Sequence, residues 1–320
     1  MNNQSSEGIV AVDWGTSSFR IWALAPDGRI IAERRSAEGM QTALEVGFEA
    51  VLRSHLDALG PVISGLPKPL PVVLCGMVGA RQGWREAPYV EIPADLDAIV
   101  GQATAIPADD LDIRILPGMA RRDPSRADVM RGEETQLLGL LLDEPEISGL
   151  VCMPGTHAKW VRLRNGRVDG FTTAMTGELF AILANHSILQ HTIGSHAPSG
   201  DPASQPFRAG LERGLSDPGR IAEMLFAIRA RGLLYGVDGA EAADELSGVL
   251  IGAEVGGMVE DAAGAEILLV AAGKLAGLYG AAIEASGLSL RIVDADAAVR
   301  GGLLHAARHL WPTLMRGPSA

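Results

Sequence analysis

With 320 residues, 47% hydrophobic and 21% charged, the chain has an ordinary globular composition, long enough for a large core and for two domains. Its 27 basic and 39 acidic residues leave a formal charge of −12, which argues against non-specific binding to nucleic acid or to an anionic membrane. The two cysteines, Cys75 and Cys152, sit in apolar runs without CxxC spacing, which suits reduced, buried thiols rather than disulfides or zinc.

The opening MNNQSSEG has neither a basic region nor a long apolar region, so no signal peptide is expected. No apolar stretch approaches the roughly 18 residues that span a bilayer. The longest, LLVAAGKLAGLYGAA, is interrupted by Lys274 and by glycines. A soluble cytoplasmic protein is the expectation.

Three β-like runs come first: IVAV, FRIWAL and, after the turn Pro26-Asp27-Gly28, RIIAERRS. Helical spacing of apolar residues predicts a helix from Leu44 to about Leu59. PVVLCGMV reads as a buried strand, GARQGWREAPYVEIP as a polar loop and IRILPGM as another strand. RGEETQLLGLLLDE reads as a helix whose Leu-rich flank is core. GLVCMPGTHAKWVRLRNGRVDGFTTAM supplies three more β-runs, with Asn165-Gly166 as a hairpin turn and Trp160, like Trp22 earlier, packed in a strand. Residues 196–206, HAPSGDPASQP, read as a loop. His186, His191 and His196 are too loosely spaced to read as a metal site. The chain then runs mostly as helix to the buried strand EILLVAAG, the helix KLAGLYGAAIEA and the strand LRIVDA. The closing helix AAVRGGLLHAARHL lines up Val299, Leu303, Ala306 and Leu310. Alternating strands and helices make the class α/β.

Two stretches share a design. IVAVDWGTSSFRIWAL and LVCMPGTHAKWVRL each give a strand, a Gly-Thr turn with small polar residues, and a basic-aromatic strand. Such a pair suggests two half-molecules facing one another across a cleft. Gly15 lets backbone approach a ligand closely, and successive N–H groups with the hydroxyls of Thr16, Ser17 and Ser18 make an anion-binding concavity. Asp13 would repel a bare phosphate but suits a neighbouring Mg²⁺ ion. Gly155, Thr156 and His157 would supply a second set of donors, with Lys159 adding positive charge. The alternative is a pair of structural hairpins with exposed hydroxyls. Other nucleotide and metal motifs are missing: Gly273-Lys274 lacks the spacing of a Walker A loop, and neither GxGxxG after a strand nor HExxH occurs.

Asp13-Trp14-Gly15-Thr16 resembles the first phosphate motif of the sugar kinase, Hsp70 and actin superfamily, and Pro154-Gly155-Thr156-His157 stands at the place of the second. AAGKLAG, residues 271–277, stands where the adenosine motif is expected, although Ala272-Gly273 offers one glycine where that motif opens with two. Within the superfamily, VDWGTSSFRIWAL, CGMVGARQGWREAPYVEIPADL, DVMRGEETQLLGLL and MPGTHAKWVRL, in this order, resemble the 2-dehydro-3-deoxygalactonokinase family. The resemblance implies phosphoryl transfer from MgATP to the 6-hydroxyl of 2-dehydro-3-deoxy-D-galactonate in galactonate catabolism. It implies two ribonuclease H-like domains, each a mixed central sheet with flanking helices around an interdomain cleft. Boundaries of 1–142 and 143–320 are expected, with the last helix packing back on the first domain.

The same resemblance distributes roles. Asp13 stands on the magnesium side; Gly15, Thr16, Ser17, Gly155, Thr156 and His157 face the phosphates; Ala272 and Gly273 face the adenosine. By analogy with exopolyphosphatase-type relatives, Glu133 is the first choice of general base, then Glu134, with Asp128 competing. The macrodipole alone would also favour carboxylates in that first helical turn. A planar guanidinium grips a carboxylate well, so Arg81 and Arg20 are candidates for the sugar acid, with Trp84, Glu86, Tyr89 and Lys159 nearby. Competing readings are an exopolyphosphatase-like phosphohydrolase, a kinase for another keto-deoxy sugar acid or a neutral hexose, and a nucleotide-dependent binding protein. A homodimer is compatible with all of them.

Overall fold

The structure is a computed structural model that describes residues 7–262 and 264–315; the first six residues, read above for a targeting signal, lie outside it. The chain divides into two compact units. Unit 1 holds residues 1–147, 164–170 and 296–320, and unit 2 holds 148–163 and 171–295. Among the described residues no helix is long and apolar enough to cross a membrane.

Unit 1 begins with β1 (Ile9–Trp14), β2 (Phe19–Leu24), β3 (Ile30–Ser36), α1 (Met40–Val46), α2 (Phe48–Ile63) and β4 (Leu70–Gly76). It continues through β5 (Tyr89–Glu91), β6 (Ala94–Asp95), α3 (Ala98–Gly101), β7 (Thr104–Ile106), β8 (Leu111–Ile115), β9 (Gly118–Arg121), β10 (Asp128–Met130) and α4 (Glu133–Leu140). Its main sheet runs β3-β2-β1-β4-β8-β7, with β1, β4 and β8 parallel and β1 through β3 an antiparallel meander. That mixed order is the ribonuclease H-like arrangement expected from the sequence. The β-branched run of β1 is buried at every position. On one face Val10, Val12 and Trp14 pack with Phe48, Val51, Leu52 and Leu56 of α2 in one core. The opposite face carries Ala11, Asp13, Arg20 and Trp22, because strand side chains alternate.

Unit 2 carries β11 (Gly149–Met153), β12 (Ala158–Arg164) and β13 (Arg167–Ala174), the last of which starts in unit 1. Then follow α5 (Thr176–His186), α6 (Gln190–Ile193), α7 (Gln205–Ser216), α8 (Ile221–Tyr235), α9 (Gly239–Ala262), β14 (Ile267–Ala271), α10 (Gly273–Ala285) and β15 (Leu290–Asp294). β12 pairs antiparallel with β11, and β11, β14 and β15 run parallel. The helix α9 is buried through most of its length and meets α7 at backbone distance, with Gly210, Gly214, Gly248 and Gly252 at the crossing. The final helix α11 (Ala295–Leu310) belongs to unit 1 from Asp296 onward.

Three expectations about elements change. The helix predicted from Leu44 splits at Gly47, whose φ of 103° breaks the turn, and α2 runs on past Pro61 to Ile63. The polar loop after β4 contains the short strand β5. Residues 196–206 form a loop only as far as Ser204, where α7 starts, and Asp244 pins them by accepting bonds from the Ser199 N–H and Oγ and from Ser204 Oγ.

On unit 1, α11 crosses α4 through glycine. A Cβ added at Gly302 would lie 1.8 Å from the Thr135 carbonyl oxygen, and one at Gly139 would lie 1.9 Å from that of Ala298. Only a hydrogen fits at either position. Gly302→Ala must therefore push the two helices apart at a cost of about 2 kcal/mol or more, visible as a lower Tm. An unchanged Tm would show that the crossing is not tight.

Candidate active site

The tip of the β1–β2 hairpin is held by its own backbone. The Gly15 N–H donates to the Ser18 carbonyl at 2.8 Å. The Gly15 and Thr16 carbonyls accept from the Met40 and Gln41 N–H groups at the start of α1. Thr16, Ser17 and Ser18 stay exposed, and Gly39 packs so close to Ser17 that a side chain there would collide with backbone.

Beneath this tip Asp13 is nearly buried and pairs with the Arg20 guanidinium, whose other arm pairs with Asp296 at the start of α11. Asp296 also takes Arg35 at 2.7 Å. Burial works against the Arg20 charge, yet Asp13 and Asp296 together hold the guanidinium above its ordinary pKa. Both terminal nitrogens of Arg20 are thus committed to protein carboxylates. The second Asp13 oxygen faces the Cys75 thiol at 3.8 Å. Burial, then the Asp13 and Glu134 carboxylates, drive the Cys75 thiol well up, so it is not a nucleophile.

Glu134 reaches the same neighbourhood from α4. Gly76 and Gly132 both take positive φ, 89° and 109°, and a Cβ on Gly132 would lie 3.4 Å from the Gly76 Cα. The end of β4 and the start of α4 therefore touch backbone to backbone. Glu134 is fully buried; its two oxygens accept from the Gly132 N–H at 2.9 and 2.8 Å, and Thr135 Oγ1 donates at 3.2 Å. Burial, with the neighbouring Glu133 charge, pushes its carboxyl up to about 8. Glu133 is only half-buried and accepts from the Arg131 N–H at 3.0 Å. Asp128, at the start of β10, accepts from the Val129 N–H at 2.8 Å.

The loop after β4 is tied to this corner by Arg131, a residue the sequence reading passed over. Its guanidinium donates to the Ala87 carbonyl at 2.9 Å and lies 4.3 Å from the centre of the Tyr89 ring. Trp84 packs against Phe48 with ring centroids 6.4 Å apart, while Arg81 and Glu86 stay exposed on the loop. Only its place directly before Gly132-Glu133-Glu134 marked Arg131 in the sequence. Asp296 carried no such mark.

On unit 2 the β11–β12 hairpin presents Gly155, with open space around it, and an exposed Thr156. The start of α5 braces it: the Glu178 N–H donates to the Thr156 carbonyl at 3.0 Å, and a side chain at Gly177 would strike the Gly155 oxygen. His157 pairs with the Glu178 carboxylate, and Lys159 is buried on β12. Farther in, Glu254 of α9 accepts from Trp160 Nε1 at 2.8 Å and from the Tyr279 hydroxyl at 2.7 Å, joining β12 to α10. Its pKa is raised by burial, against the bonds from Thr176, Tyr279 and Trp160. Ala272 is extended, and Gly273 (φ 59°) opens α10 on an exposed surface.

Comparisons with known proteins converge. A family model described as 2-keto-3-deoxy-galactonokinase matches residues 13–306. A protein of Rhizobium meliloti named "Probable 2-dehydro-3-deoxygalactonokinase" is 52% identical over 303 residues, 94% of this chain and 97% of that one. The 2-dehydro-3-deoxygalactonokinase of Escherichia coli is 37% identical over 295 residues, 92% of this chain and 95% of that one. A crystal structure from Sinorhizobium meliloti, of a protein assigned to the same activity, superposes with a TM-score of 0.88 at 51% identity, covering 95% of this chain and 99% of its own.

The Glu134 carboxyl yields a pH signature. Its folded pKa of about 8 lies above the unfolded value of about 4.3, so the native state holds this proton more tightly. That contribution to stability is complete below the unfolded pKa and is lost as pH rises through about 8. Glu134→Gln should match the wild type near pH 4 and gain on it by the order of several kcal/mol toward pH 8, in denaturant titrations. A stability difference that does not change with pH would mean that Glu134 is ionised in the folded protein.

Proposed function

This chain belongs to the 2-keto-3-deoxy-galactonokinase family, and on that premise we propose that it transfers a phosphoryl group from ATP to the 6-hydroxyl of 2-dehydro-3-deoxy-D-galactonate. The observation that carries the reading is the 52% identity to the Rhizobium meliloti relative across 94% of the chain. The reading is of an enzyme of galactonate breakdown working in the cytoplasm, and the free, buried Cys75 and Cys152 suit such a reducing compartment.

Both units carry candidate groups for the reaction. In unit 1 the Gly15–Ser17 tip offers backbone and hydroxyl donors for phosphate oxygens. Magnesium would be held by Asp13, and its donor chemistry fits: it is a hard carboxylate, one oxygen taken by Arg20 and the other met only by the weakly donating Cys75 thiol at 3.8 Å. When bound, the ion neutralises charge on the transferring phosphate. Arg20 aims Asp13 and, with both terminal nitrogens on protein carboxylates, is an organiser of that carboxylate rather than a clamp for the sugar acid. In unit 2, Gly155 and Thr156 offer a second set of donors, and Ala272 and Gly273 at the exposed start of α10 take the adenosine.

The substrate hydroxyl attacks phosphorus, the bond to the ADP oxygen breaks, and a carboxylate takes the hydroxyl proton. Glu133 suits that role better than Glu134. It is partly exposed, whereas Glu134 is fully buried, bonded to its own loop and raised to about 8, hence mostly protonated at neutral pH. Arg81, exposed on a loop that Arg131 anchors, is the candidate for the substrate carboxylate.

The test is ADP formation against a panel of 2-keto-3-deoxy sugar acids, neutral hexoses and water alone. Turnover should require a sugar acid and be fastest with the galactonate-derived one. Equal ADP release without any acceptor would replace the kinase by a phosphohydrolase. In the same assay Glu133→Gln should lose about 10²-fold or more in kcat while still binding ATP; full activity would hand the base to Asp128 or Glu134.

A further inference from the structure

One cluster on unit 1, away from the groups discussed above, has the composition of a transition-metal site. His305 and His309 stand four residues apart on α11, so their rings leave the same face of the helix, with centroids 4.4 Å apart. Asp97, on the segment leading into α3, meets them: its Oδ1 lies 2.7 Å from His305 Nε2. One potential ligand atom from each of the three residues lies within 4.8 Å of the other two.

The surroundings already prepare one ligand. His309 Nδ1 donates to the His305 carbonyl at 3.0 Å. That bond places the proton on Nδ1 and leaves the Nε2 lone pair for an ion. His305 Nε2 and Asp97 Oδ1 already face one another, so a cation can enter between them. Bonds of about 2.0–2.1 Å set tetrahedral donors about 3.3 Å apart, so side-chain rotations of roughly an ångström bring the set around one ion. Asp97 and His309 are exposed and His305 is half-buried, which gives an entry path and room for water as the fourth ligand.

The donor set also selects the metal. Magnesium and calcium take oxygen, whereas two imidazoles with one carboxylate suit zinc. We propose that Asp97, His305 and His309 bind a zinc-class divalent ion that ties the last turns of α11 to the segment before α3. The site shares no residue with the Asp13–Arg20–Asp296 set or with Glu133 and Glu134. It uses no cysteine.

The test is a titration of the chelator-stripped full chain with Zn²⁺ against a chromophoric competitor, alongside thermal unfolding. The wild type should take up one ion per chain and show a rise in Tm. His309→Ala and Asp97→Asn should each weaken binding about tenfold or more and abolish the rise, while keeping kinase activity when zinc is absent and magnesium is supplied. His186→Ala, a histidine elsewhere in the chain, should bind as the wild type does. The proposal is overturned if the wild type takes up no stoichiometric zinc, or if His309→Ala and Asp97→Asn bind it as tightly as the wild type, which would point to other ligands such as the thiols.

Discussion

The end of the first strand depends on a guanidinium held between two carboxylates. Asp13 sits at the end of a strand that is buried along its whole length, where an unpaired charge would be driven to neutralise. Arg20 comes from the directly paired position on β2, and Asp296 anchors its other arm. Removing one member of such a set strands the others; for fully buried pairs that costs about 3–5 kcal/mol, and less here because the Arg20 side chain keeps 22% exposure. The arrangement therefore does two things. It gives the Asp13 carboxylate a cationic partner, and it ties the β1–β2 hairpin to the first residue of the closing segment of unit 1.

The same helix that brings Asp296 is seated by the glycine crossing with α4, and α4 begins at the loop that carries Glu133 and Glu134. Arg300 of α11 lies 6.0 Å from the Trp22 ring, on the sheet face that also holds Asp13 and Arg20. Packing and chemistry are thus coupled. The backbone contact at Gly76 and Gly132 adds the third element, the end of β4. Three segments far apart in sequence reach one corner because small residues let their backbones touch. Glu134, buried in that corner, serves as its polar filling, and Glu133 is left toward solvent.

Much of this was legible from residue order. The hydroxyl-rich turn after Asp13, its echo at Gly155-Thr156, and the alternation of strands and helices are local patterns, and each falls on the element expected. What stayed hidden depends on long-range partners. Arg20 looked available for a substrate because its contact with Asp296 spans 276 positions. Asp296 itself resembles any acidic residue in a first helical turn. Nothing local in the sequence marks the contacts Arg131 makes with the Tyr89 ring and the Ala87 carbonyl. Glu133 and Glu134 are adjacent and chemically identical, and only burial separates them. The helix break at Gly47 and the pinning of residues 196–204 by Asp244 likewise follow from tertiary contacts, which override local propensity.

The central claim is that Asp13, held by Arg20, serves the magnesium side of phosphoryl transfer to a keto-deoxy sugar acid. The most direct measurement is turnover of 2-dehydro-3-deoxy-D-galactonate by folded Asp13→Asn across a magnesium series at fixed ATP. The account predicts a kcat lower by about 10²-fold or more, with a shifted magnesium requirement. A variant that keeps both the wild-type kcat and the wild-type magnesium dependence would contradict it.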